Sequence, residues 1–174
     1  MALPLPTRAC TCKSPHVAES FDKWAVVVFQ SEGVWQVEEL PPTVADDLGD
    51  VIAAVRGQVA GAFALVDVAD EFFVVARRNR GQDQLLLSDV TASVAWDLAA
   101  QVMERLDLEV PDDDQRAEVL PAGDLGLFAD LGLDEMELGA ILSDVDAYAD
   151  EMLSTLARRL GFADAYERAM DALV

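Results

Sequence analysis

The first regular pattern along the chain is a continuous apolar run, Trp24-Ala25-Val26-Val27-Val28-Phe29, rich in β-branched and aromatic residues. Such a run, bounded by turn residues, predicts a strand buried on both faces. Ser31-Glu32-Gly33 turns the chain. From Val34 to Glu39 the pattern alternates, with Trp35 and Val37 on one side and Gln36 and Glu38 on the other, so the two runs form a hairpin. Pro41-Pro42 ends it. Thr43 and Asp46 have capping-box spacing, and Val44, Leu48, Val51, Ile52 and Val55 follow at helical spacing up to Gly57. Three further strands are predicted at Ala62 to Val66, Phe72 to Ala76 and Gln84 to Leu87, joined by segments carrying Asp67, Asp70, Glu71, Asn79 and Gly81. A second helix is expected from about Ser93, with Ala95, Leu98, Ala99, Val102, Met103 and Leu106 along one face.

The order β-β-α-β-β-β-α with short loops favours antiparallel neighbours. The expected fold is therefore α+β: a five-stranded, mostly antiparallel sheet with helices packed on it, in the order of the roadblock and profilin-like domains. Pro111-Asp112-Asp113-Asp114 is an acidic break, and beyond it the pattern is helical throughout. Asp124 to Leu131 predicts a short helix stopped by Gly132. Asp134 and Glu137 have capping-box spacing ahead of Met136, Leu138, Ile141 and Leu142. Asp150 opens a helix with Met152, Leu153, Leu156 and Leu160 inward, and Tyr166, Ala169, Met170 and Leu173 line a last one. The chain divides into a flexible N-terminal extension (residues 1–20), a sheet domain (21–110) and an acidic helical region (111–174) expected to pack on the sheet as part of the same folding unit. Residues 1–20 hold three prolines and no periodicity.

Charge changes this picture most. Of 174 residues, 33 are acidic and 12 basic, a formal net charge of −21. Residues 91–174 carry 20 acids against 5 bases, and residues 107–151 hold 15 acids against Arg116 alone. Such a field repels nucleic-acid backbones and anionic membranes and attracts basic protein surfaces. It also serves solubility. No apolar run approaches bilayer length, and residues 1–20 lack a signal core, so the expectation is a cytoplasmic protein with no membrane partner.

Candidate chemistry is sparse. Cys10, Cys12 and His16 are three soft ligands, but zinc sites close with four and no fourth follows. His16 is the sole histidine, which leaves no histidine-based triad. Asp144-x-Asp146-x-Tyr148 opens like a calcium loop, yet Ala149 stands where glycine makes the turn and Thr155 where a bidentate glutamate is required. Nucleotide-binding glycine loops are absent. The stretch from Phe128 to Leu138 resembles the prosthetic-group site of an acyl carrier protein, but Glu135 occupies the serine position and cannot carry the ester. Arg77-Arg78-Asn79-Arg80 is the one basic cluster, read as a hairpin tip that either grips an anionic partner or blunts the sheet edge. Trp24, Trp35 and Trp96 fit core packing or interface anchoring. No cofactor is implied.

Three segments carry a family pattern: Val66-Asp67-Val68-Ala69-Asp70-Glu71-Phe72-Phe73-Val74-Val75, Leu85-Leu86-Leu87-Ser88-Asp89-Val90-Thr91, and Pro121-Ala122-Gly123-Asp124 through Phe128 to Met136. They resemble the actinobacterial tRNA adenosine deaminase-associated proteins, over about residues 24–166. The resemblance implies a link to the enzyme that makes inosine at the tRNA wobble position, with no catalytic residues to carry over. The zinc-deaminase signatures H-x-E and P-C-x-x-C are missing, so this chain is not that enzyme. The expectation is a non-catalytic acidic accessory protein that contacts the deaminase and does not bind nucleic acid directly. Asp112, Asp113, Asp114, Glu118, Asp124 and Asp130 are the candidate partner-binding acids, with Arg77, Arg78 and Arg80 as a secondary patch. An independent enzyme using surface carboxylates and a small homodimeric scaffold are the alternatives.

Overall fold

The computed structural model describes residues 23–112 and 119–173. The apolar run forms β1 (Lys23–Ser31) and pairs antiparallel with β2 (Val34–Leu40), with Val28 opposite Val37. A 3-10 turn (Pro42–Asp46) leads into α1 (Leu48–Arg56). β3 (Phe63–Val68), β4 (Phe72–Asn79) and β5 (Gln82–Leu87) follow as a meander, and a second 3-10 turn (Val90–Val94) precedes α2 (Asp97–Arg105). Then come the two-residue β6 (Ala122–Gly123), a 3-10 turn at Ala129–Leu131, α3 (Glu135–Leu142), α4 (Ala149–Leu160) and α5 (Ala163–Leu173). The sheet is antiparallel in the order β2-β1-β3-β4-β5-β6.

The period-2 alternation of the strands sorts their side chains into two cores. Ala64, Val66 and Val68 of β3, with Phe72, Val74 and Ala76 of β4, face α1 and α2. Phe63, Leu65, Phe73 and Val75 face the C-terminal helices, meeting Leu127, Phe128, Leu138, Leu153, Leu156 and Phe162. β3 is buried at every position, as a strand covered on both faces must be. The tryptophans are half-buried against these cores: Trp35 lies 5.6 Å from Phe162, Trp24 6.0 Å from Tyr166 and Trp96 6.1 Å from Phe72.

The structure corrects the expected architecture in several places. The sheet has six strands, not five. The sixth, Ala122–Gly123, lies just ahead of the expected helix at 124–131, and that stretch is turn and 3-10 structure instead. Gly123 decides this: its φ is +108°, and a Cβ there would lie 2.1 Å from the Leu85 carbonyl oxygen. Two residues are too few to show a period. α1 begins at Leu48, because the Asp47 carboxylate accepts from the Asp50 N–H at 3.2 Å and caps it, whereas Thr43 lies inside the Pro-started 3-10 turn. α2 begins at Asp97, not Ser93. Asp134 caps α3 by accepting from the Glu137 N–H, and Gly161 (φ +85°) ends α4, but Met136 is 83% exposed and contributes nothing to the core.

Candidate functional site

The arginine cluster separates by strand parity. On β4, Phe73, Val75 and Arg77 share the face turned to the C-terminal layer, so Arg77 points inward. It is 3% exposed and forms a two-pronged ion pair with Asp130, at 2.6 and 2.7 Å. The same guanidinium donates to the Leu127 carbonyl and lies 5.8 Å from the centre of the Phe128 ring. Hydrogen bonding from Arg77 holds the Asp130 carboxyl below its usual range. This pair ties the 127–131 segment to the sheet, which corrects the picture of Arg77 as an exposed grip. Arg78 and Arg80 are exposed at the end of the hairpin.

The candidate acids scatter likewise. Asp124 accepts from the Gly126 N–H at 2.9 Å and from the Gln84 amide, while its own N–H donates to Leu85 O at 2.8 Å. It is half-buried and shapes the chain after β6. Asp112 is exposed. Asp113, Asp114 and Glu118 lie outside the described residues, as do Cys10, Cys12 and His16.

A constellation that sequence reasoning missed lies at the other end of β4. Asp67, expected in a connecting segment, belongs to β3, 2% exposed, on the same face as Phe63 and Leu65. One of its carboxylate oxygens accepts from the Asp70 N–H at 3.0 Å, holding the β3–β4 turn in which Ala69 and Asp70 both have positive φ. Its Oδ2 is buried without a hydrogen-bond partner. Burial pushes the Asp67 carboxyl up to about 7, with Asp70 and Asp150 adding repulsion. Asp70 in turn accepts from the Asp150 N–H at 2.9 Å, which fastens the first turn of α4 to the β3–β4 turn. Burial, then the nearness of Asp70, raises the Asp150 carboxyl, and burial raises the Tyr166 phenol beneath it. The available signal was one acid in an otherwise apolar run, Ala62 to Val68.

Beside this cluster, the β3–β4 turn, the chain after β5, Val119 ahead of β6, and the α3–α4 loop with the start of α4 line a hollow of about 290 Å³. Among the described residues its charged lining is all acidic: Asp70, Glu71, Asp89 and Asp144. Neutral donors hold these carboxylates. Glu71 accepts from Trp96 Nε1 at 2.9 Å, Asp89 from Thr91 N–H and Oγ1, and Asp144 from the Asp146 N–H. No group of three or more such side chains among the described residues is arranged to hold a metal ion.

Residues 23–163 match the family model described as Rv3753c-like tRNA adenosine deaminase-associated protein. The chain belongs to this family. It is similar to Protein Rv3753c of Mycobacterium tuberculosis (strain ATCC 25618 / H37Rv), 42% identical over 159 residues, covering 90% of this chain and 92% of that one. No solved structure matches. The part matched by the deaminase-associated family spans all six strands, the Arg77–Asp130 pair and the acidic hollow. Among the described residues no helix is long and apolar enough to cross a membrane.

Proposed function

We propose that this protein is a non-catalytic accessory protein of the cytoplasm that binds the tRNA adenosine deaminase directly through its acidic surface. Family membership carries the reading, since the family is described by its association with that enzyme. Coulomb's law supports it. An enzyme that acts on tRNA needs cationic surface for a polyanion, and this chain presents a formal charge of −21 to such a surface. The same charge disfavours tRNA as a direct ligand.

Arg77, Asp124 and Asp130 are engaged within the fold. The proposed electrostatic contribution therefore falls on the exposed Asp112 and on the acids that follow it in the sequence, Asp113, Asp114 and Glu118, and Arg78 and Arg80 have a minor part. Attraction between opposed surfaces speeds encounter and is screened over roughly 10 Å at 0.1 M salt. Calorimetry with purified deaminase should show binding at low salt that weakens at high salt, and free tRNA should give no heat. Absence of binding at both salts removes the direct-partner reading, and salt-independent binding removes its electrostatic basis. A sizing column run beforehand fixes the stoichiometry.

A further inference from the structure

The α3–α4 loop breaks the usual rule for surface connections, which are polar where they meet water. Val145 is 86% exposed and Tyr148 67% exposed, three residues apart. Both line the hollow described above, with Met152 of α4 half-buried behind them. A lone exposed apolar side chain needs no explanation. Two large ones at the mouth of one hollow, rimmed by carboxylates, have the make-up of a contact surface, in which tyrosine is enriched and apolar anchors sit inside a charged rim.

We propose that this hollow is the docking groove for the deaminase, and that it takes a segment of that enzyme carrying a Lys or Arg side chain beside an apolar one. The inference rests on the direct-binding reading above and names its site. Charge complementarity selects the occupant. Asp70, Glu71, Asp89 and Asp144 rim the hollow, and none is ion-paired among the described residues. An anionic occupant, whether phosphate backbone or acidic peptide, is repelled. A bare divalent cation lacks a set of three ligands, whereas an ammonium or guanidinium needs only one or two carboxylates and brings its own apolar stem. That stem and a neighbouring apolar side chain would cover Val145 and Tyr148. Asp70, which already repels the neighbouring Asp150 carboxyl, would be neutralised by the incoming cation.

The test uses the full chain and purified deaminase in titration calorimetry at low and high salt. Asp70→Asn with Asp144→Asn removes two charges while keeping the acceptor oxygens that bind the Asp150 and Asp146 N–H groups. Val145→Ser with Tyr148→Ser removes the apolar half. Asp50→Asn with Glu104→Gln, exposed on the helices across the sheet, removes the same charge elsewhere. Each groove pair should weaken binding about tenfold or more, a loss typical of interface anchors, and the control pair by a few-fold at most. The charge pair should also flatten the salt dependence, and the apolar pair should leave it intact. Melting curves check that each variant is folded, and NMR signals of Val145 and Met152 in the unmodified chain should shift when deaminase is added. If the wild type binds while both groove pairs bind as tightly, or those signals stay still, the groove is wrong and the direct-partner reading survives. If the wild type does not bind, both fall.

Discussion

At the scale of single residues, charge and burial decide the outcome in opposite ways for two side chains of the central strands. Arg77 is buried but paired: Asp130 and the Leu127 carbonyl take up its donors, so the charge remains. Asp67 is buried with one oxygen unpartnered, and its carboxyl rises to about 7. The sign of the resulting pH dependence follows from linkage. Unfolded, Asp67 has the ordinary value of 3.8; folded, it holds its proton up to about 7. Its contribution to stability is therefore complete below pH ~4, declines as pH rises through 7 and is lost above that. Asp67→Asn keeps the acceptor for the Asp70 N–H and cannot ionise. The variant is expected to gain on the wild type as pH rises from 5 to 8, by at most about 3 kcal/mol. Urea unfolding at the two pH values measures this, and an unchanged difference between variant and wild type would show that Asp67 is not the titrating group.

At the scale of elements, the short β6 controls how the C-terminal half begins. Its pairing, Leu86 with Gly123 and Leu87 with Ala122, places the chain so that Leu127 and Phe128 enter the second core. Gly123→Ala combines a positive-φ penalty with a collision against the Leu85 carbonyl oxygen. It should lower stability by roughly 2–3 kcal/mol. Chemical denaturation checks the loss, and hydrogen exchange should localise it to β5 and the segment after β6. A variant as stable as wild type would mean that β6 is not a fixed strand. The caps on Asp47 and Asp134 are local by contrast, each side chain accepting one amide of its own helix.

At the scale of the molecule, the sheet is the middle layer of three. We propose that residues 21–110 and 111–174 fold as one unit, because α3, α4 and α5 have 8, 12 and 11 residues, and isolated helices under about 12–15 residues are marginal in water. Their inward side chains, Leu138, Leu153, Leu156 and Phe162 among them, are covered by Val26, Val28, Phe63, Leu65 and Val75 of the sheet. Residues 111–174 expressed alone should lack a cooperative thermal transition and give a narrow amide spectrum. A dispersed spectrum with a sharp melt would show two independent domains.

Apolar periodicity, turn residues and long motifs were enough for the α+β class, five of the strands to within a few residues, the existence of α1 to α5, and the family. The sequence could not show β6 or place the starts of α1 and α2, since a two-residue strand has no period and Thr43 and Asp47 are both acceptable caps by residue type. Among the candidate acids and arginines, composition indicated that charge matters and left open which charges are free. Strand parity turned Arg77 inward toward Asp130, 53 residues away, and turned Asp67 under α4 and α5. The hollow lined by Asp70, Asp89, Val119, Asp144, Val145 and Tyr148 draws on four connections far apart in the chain. Only tertiary packing brings them together, because each is a short polar or mixed segment whose neighbours are set by the layers it joins.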